Sequence, residues 1–132
     1  MIKAINLHKF YDELHVLKGV SLEIKKSEVI SIVGASGTGK TTLLQILGTL
    51  DYFSSTEEKS SLLIDGQDIE SLNQQQLATF RNKNLGFVFQ FHQLLPEFSA
   101  LENICIPAYI GNTPKTVAEK KAKELLSFLN LS

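Results

Sequence analysis

With one cysteine, Cys105, in 132 residues there is no second thiol for an internal disulfide. Charge of one sign is also missing. Thirteen Lys+Arg stand against 14 Asp+Glu for a net charge of -1, and no block of like charge offers a nucleic-acid or anionic-membrane surface. Long apolar runs are absent: the longest are a few residues, such as Leu62-Leu63-Ile64, far below the ~20 needed to cross a bilayer. The opening Met1-Ile2-Lys3-Ala4-Ile5-Asn6 lacks the apolar stretch of a secretory signal. Together these absences make the cytoplasm the expected compartment, with any membrane link supplied by a partner. No His/Cys spacing of a metal site occurs, and three isolated histidines build no Ser-His-Asp set. His92 has no adjacent carboxylate and reads as a loop histidine, with His8 and His15 weaker still. Cys105, between Ile104 and Ile106, reads as a buried, unreactive thiol.

What is present is enough for a core: 43% of the residues are hydrophobic, and the length suits one domain. Val16 to Ile24 alternates apolar and polar, which predicts a strand with one solvated face, and Ile2 to Leu7 is a weaker strand of the same kind. Val29-Ile30-Ser31-Ile32-Val33 is β-branched and almost wholly apolar, the pattern of a parallel strand covered on both faces. Leu43, Leu44, Ile46, Leu47 and Leu50 recur at helical spacing and predict a helix over Lys40–Leu50. Tyr52 to Ser61 is polar and serine-rich and reads as an exposed loop. Leu62 to Ile64 with Asp65-Gly66 predicts a short strand and turn, and Ser71 to Arg81 a short helix capped by Ser71 or Asn73. Leu85 to Phe89 reads as a second buried strand. Gln90 to Ile110, with Pro96 and Pro107, reads as a connection into a mostly helical region. Over Pro114–Leu131 the residues Val117, Ala118, Lys121, Ala122, Leu125, Leu126 and Leu129 share one stripe of an amphipathic helix, whose apolar face has little left in the chain to cover it.

Gly34-Ala35-Ser36-Gly37-Thr38-Gly39-Lys40-Thr41 matches G-x-x-x-x-G-K-[ST] between the predicted strand and helix. Each fixed position has a reason in the chemistry of a triphosphate. Glycines let successive backbone N–H groups and the helix N-terminus approach the anion. Lys40 brings a mobile positive charge to the β- and γ-phosphates, the Thr41 hydroxyl suits Mg²⁺, and Thr42 is a candidate for the α-phosphate. At ordinary residue frequencies the pattern arises by chance in about one chain of this length per two hundred. ATP and Mg²⁺ are the expected ligands. Tyr11 precedes the alternating strand, where an aromatic ring suits base stacking and equally suits packing on a sheet edge. Gln90 follows the second apolar strand and by position alone is as well explained as a satisfied strand end.

Phe10-Tyr11, the run Val16–Ile24, the P-loop and Leu44–Asp51 resemble the ATP-binding subunits of ABC transporters. Phe80-Arg81-Asn82, Leu85–His92 and Leu94–Asn103 are most similar to the branch that serves bacterial lipoprotein release. The resemblance implies an α/β P-loop NTPase core with a parallel sheet, an N-terminal antiparallel β portion and the start of a helical subdomain. Its expected limits are about residues 1–90 for the nucleotide-binding core and 91–132 for the helical part. It further implies that Tyr11 stacks on adenine, that Gln90 contacts Mg²⁺ and senses a transmembrane permease subunit, and that Phe91–Asn103 borders the groove for that subunit. Such ATPases act as homodimers on the inner face of the bacterial inner membrane. A related peptide or drug exporter shares much of the pattern, and Leu95-Pro96-Glu97-Phe98 favours lipoprotein release. A P-loop kinase is disfavoured, because two strands precede the loop and no arginine-bearing lid is evident. Two departures stand out. Ser27-Glu28 replaces the usual Gly-Glu, expected to alter only a turn. No LSGGQ-type signature, no apolar strand ending in Asp-Glu and no switch histidine follow before Ser132, so the expectation for this chain alone is nucleotide binding without turnover.

Overall fold

The alternating segment is half of a long hairpin. β1 (Ile2–Tyr11) and β2 (Leu14–Ile24) pair antiparallel from Ile2↔Ile24 to Tyr11↔Leu14, turning through Asp12-Glu13. The computed structural model describes residues 1–131, which divide into one unit over Met1–Ala78 and a second from Thr79 onward. On its other edge β1 takes β3 (Ser61–Ile64), antiparallel, over Ile2 to Ile5. Asp65 and Gly66, both left-handed (φ 48° and 80°), turn β3 into the two-residue β4 (Gln67–Asp68), giving the order β2-β1-β3-β4. Left-handed residues at both turn positions match the right-handed twist of the strands they join.

β3 is too short to cover all of β1. The free upper part of β1 is served by the serine-rich segment that reads as an exposed loop: Ser54 N–H donates to His8 O (2.8 Å), Phe10 N–H donates to Ser54 Oγ (3.0 Å) and Ser60 Oγ–H donates to Asn6 O (2.6 Å). The segment is pinned to the strand because unpaired ladder groups need partners. Beneath lie Leu7, Leu17, Leu62 and Ile64 from the strands with Leu43, Ile46 and Leu47 of α1 (Lys40–Leu47), all buried. α1 ends three residues before the expected Leu50. Thr49 turns left-handed (φ 61°), Thr49 N–H bonds Ile46 O and Leu50 N–H returns to Gln45 O, so the carbonyls of the last turn are satisfied by a reversal rather than another turn.

Two expectations fail. Val29–Val33 and Leu85–Phe89 form no strand, and the only sheet among the described residues is the antiparallel one. Val29 is 93% and Val33 84% exposed. Apolar β-branched composition records a preference for burial, whereas a parallel strand also needs a neighbour to bond, and neither segment has one here.

α2 (Gln74–Asn84) crosses the division between the units and starts later than predicted. Its cap is Asn73: Asn73 Oδ1 accepts from Gln76 N–H (2.9 Å), and Gln76 Oε1 accepts from Asn73 N–H (3.0 Å). In the second unit α3 (Ala100–Ile110) and α4 (Lys115–Phe128) form a helical hairpin. Cys105 is buried between Ala118 and Ala122, with Leu101, Ala108 and Tyr109 packed around them. α3 therefore covers part of the α4 stripe expected to lack a partner, while Val117, Leu125 and Leu129 remain exposed. Before α3, the Asn103 amide binds the carbonyls of Leu95, Phe98 and Ser99 at 3.0 Å and accepts from Leu95 N–H at 2.8 Å, closing the turn over Leu95–Ser99.

Candidate functional site

The P-loop is shaped by backbone conformation before any side chain acts. Gly37 (φ 76°) has no atom within 4 Å of where a Cβ would stand, so only its left-handed backbone requires glycine. Gly39 (φ 85°) is doubly constrained: a Cβ would lie 3.0 Å from Val16 Cγ1 and 3.2 Å from Leu17 Cδ2. The loop is thus pressed onto β2, and Gly39 caps α1 without a side-chain bond. Leu43 N–H is the first to find a partner within the helix, on Gly39 O, so the N–H groups of the turn before it are directed out of the helix end.

Ser36, Gly37, Gly39, Lys40, Thr41 and Thr42 meet around one open cavity of about 350 Å³, joined by Val16 from β2. Lys40 Nζ–H donates to Gly34 O (2.9 Å) and to Ala35 O, and Thr38 Oγ–H donates to Ala35 O (2.7 Å). Loop carbonyls therefore hold the ammonium across the loop until a stronger acceptor offers itself. A positive side chain, a helix N-terminus, three hydroxyls and glycines that keep side-chain bulk away form a donor set suited to a polyphosphate, and the Thr41 hydroxyl supplies an oxygen of the kind Mg²⁺ prefers.

Tyr11 does not line this cavity. It closes β1, its hydroxyl donates to Asp51 Oδ2 (2.9 Å), and Lys9 Nζ stands over its ring at 5.0 Å from the centroid. Lys9, nearly buried, bonds Asp51 Oδ1 (2.7 Å) and Tyr52 O (2.6 Å). Partial burial pushes the Asp51 carboxyl up, but hydrogen bonds from Lys9, the Tyr52 amide and Tyr11 outweigh it and hold the group below its ordinary range. Gln90 lies exposed in the second unit, in the irregular segment after Phe89. His92 Nδ1 accepts from Leu94 N–H (3.1 Å), a local bond that suits a loop histidine.

Two residues, one at the loop and one at Tyr11, are not marked by the sequence. Val16 belongs to a strand pattern that shows it only as apolar, and its place follows from β2 packing on Gly39. Asp51 follows the helical stripe, and nothing local shows that Lys9 and Tyr11, far earlier in the chain, converge on it.

The sequence profile of the ABC transporter family matches residues 17–132. The chain belongs to the ABC transporter family. Among its relatives, the lipoprotein-releasing system ATP-binding protein LolD of Bacteroides thetaiotaomicron is 52% identical over all 132 residues, which cover 59% of that protein. LolD of Porphyromonas gingivalis is 55% identical over the whole chain, covering 58% of its length. The ABC transporter chain therefore spans rather more than half the length of these relatives. A solved dimeric ATP-binding cassette, MJ0796 in a post-hydrolysis state bound to ADP and Pi, superposes with a TM-score of 0.86 at 34% identity, over 100% of this chain and 58% of that one. The α/β P-loop cassette fold thus holds, with its N-terminal antiparallel portion formed as expected. No described helix of this ABC transporter chain is long and apolar enough to cross a membrane.

Proposed function

We propose that the chain is the nucleotide-gripping part of an ABC transporter ATPase that drives lipoprotein release from the bacterial inner membrane. The observation that carries the reading is the loop Gly34–Thr41, which opens α1 with Lys40 lying across it. When MgATP is bound, the metal supplies charge neutralisation to the phosphates. Lys40 would exchange its carbonyl partners for phosphate oxygens, the N–H groups at the start of α1 would donate to them, and the Thr41 hydroxyl would help to hold Mg²⁺. Thr42 and Ser36 add hydroxyls at the rim, and Tyr11 stacks on the adenine. Gln90 links the state of the nucleotide to a transmembrane permease subunit received beside Phe91–Asn103. The working form is a homodimer of ATPase subunits on the cytoplasmic face of the membrane.

The lipoprotein cargo is supported by 52% and 55% identity to proteins named for that system, and by Leu95-Pro96-Glu97-Phe98, whose turn Asn103 organises. A peptide or drug exporter has no comparable feature in its favour. These 132 residues by themselves bind ATP without hydrolysing it, since no signature motif, acid-ended strand or switch histidine is among them.

Titration of the chain with MgATP, with calorimetry as the readout, tests the grip. Lys40→Ala is expected to weaken binding by about ten- to a hundred-fold, the worth of a hydrogen bond to a charged group, with an unchanged unfolding midpoint. Equal affinity in the variant and the parent chain would withdraw the site.

A further inference from the structure

Asp51 is hydrogen-bonded to Tyr11 and stands past the end of the helix that the P-loop opens, and its chemistry suggests a role that the P-loop pattern does not contain. It stands just beyond α1, fixed by the reversal in which Thr49 is left-handed and Leu50 N–H returns to Gln45 O. α1 begins at the P-loop, so one short rigid helix carries the phosphate grip at its start and this carboxylate past its end. The two carboxylate oxygens serve different partners. Oδ1 accepts from Lys9 Nζ and from Tyr52 N–H, and Oδ2 accepts from the Tyr11 hydroxyl.

Tyr11 is the last residue of β1 and 44% exposed, and without an anchor its ring would rotate about two bonds. The ring is instead held at its hydroxyl by Asp51 and on one face by the Lys9 ammonium, at a distance suited to a cation–π contact. A base then has one face left to stack on. A ring already held in orientation loses little freedom when it stacks, and that saving appears as affinity.

We propose that Asp51 is a positioning residue for the nucleotide base, fixing through the Tyr11 hydroxyl the plane on which adenine stacks. This rests on the reading of Tyr11 as the stacking aromatic, and the two fail in different ways. The competing account is that Asp51 merely fastens β1 to α1 through Lys9. Tyr11→Phe separates the two, because it removes the anchor while leaving the ring and the Lys9–Asp51 ion pair intact.

Affinities of the chain are measured for MgATP and for tripolyphosphate, which has phosphates and no base. Tyr11→Phe is expected to weaken ATP roughly three-fold and Tyr11→Ala roughly ten-fold, with tripolyphosphate unchanged in both. Asp51→Asn is expected to be non-additive with Tyr11→Phe for ATP, since both break one link. If Tyr11→Ala binds ATP as well as the parent, the stacking reading falls and the positioning role with it. If Tyr11→Ala is weakened but Tyr11→Phe is not, stacking stands and the positioning role is overturned. An equal loss for tripolyphosphate, or additivity with Asp51→Asn, also overturns it. Should Asp51→Asn fail to fold, the tyrosine variants decide alone.

Discussion

Ser27 occupies the third position of the turn Lys25–Glu28, where Glu28 N–H bonds Lys25 O (3.2 Å) and the serine is left-handed, at φ 64°. An L side chain in that conformation crowds its own carbonyl, a cost glycine avoids. The Gly-Glu expected from the resemblance thus has a physical reason, and serine keeps the turn while straining it. Ser27→Gly is expected to raise stability by about 0.5–1 kcal/mol, net of glycine's greater freedom in the unfolded chain. Urea denaturation would register this as a higher midpoint at constant slope, and a lower midpoint would mean that the serine conformation costs nothing. At this scale the candidate phosphate site is legible in the sequence, because Gly34 to Thr41 are contiguous and each position answers a local demand. Val16 and Asp51 are not, since strand packing brings the first to the loop and a helix reversal brings the second to Tyr11.

Among the elements, α3 shows what pattern reading misses. Pro107 and the aromatics around it read as a connection, yet the helix runs over Ala100–Ile110 with the proline in its last turn. The signal lies inside that stretch: Ser99-Ala100-Leu101-Glu102 is a capping box. Ser99 Oγ accepts from Glu102 N–H (3.2 Å), and Glu102 Oε2 accepts from Ser99 N–H (2.8 Å). The bonds to the Ser99 backbone and side chain also hold the Glu102 carboxyl below its ordinary range. Ser99→Ala is expected to cost about 1 kcal/mol. The loss would appear in the unfolding of the α3–α4 hairpin, followed by the near-ultraviolet signal of Tyr109, and an unchanged midpoint would show that the cap is redundant with Asn103. The start of α2 is legible because Asn73 and Gln76 satisfy each other within one turn, whereas its end, like that of α1, depends on where the chain turns next.

Across the whole molecule, the hydrogen bonds divide the chain unevenly. β1 has partners on both sides, while Val29–Val33 and Gly86–Phe89 make no backbone hydrogen bond among the described residues. Hydrogen exchange is therefore expected to leave the amides of β1 protected and those of the two apolar segments exchanging near the rate of an open chain. Protection of Val29–Val33 would mean that the segment pairs after all. Both segments read as buried strands because composition reports a liking for burial, and the identity of the covering partner is a long-range fact that no local window holds.

The division at Ala78 also bears on the order of synthesis. The residues that line the candidate phosphate site, with Tyr11 and Asp51 besides, lie before Thr79. Ribosomes add ~5–20 residues per second, so several seconds separate the two units as they emerge. On the function proposed above, the loop and the Tyr11–Asp51 pair leave the ribosome ahead of the residues that build the helical hairpin.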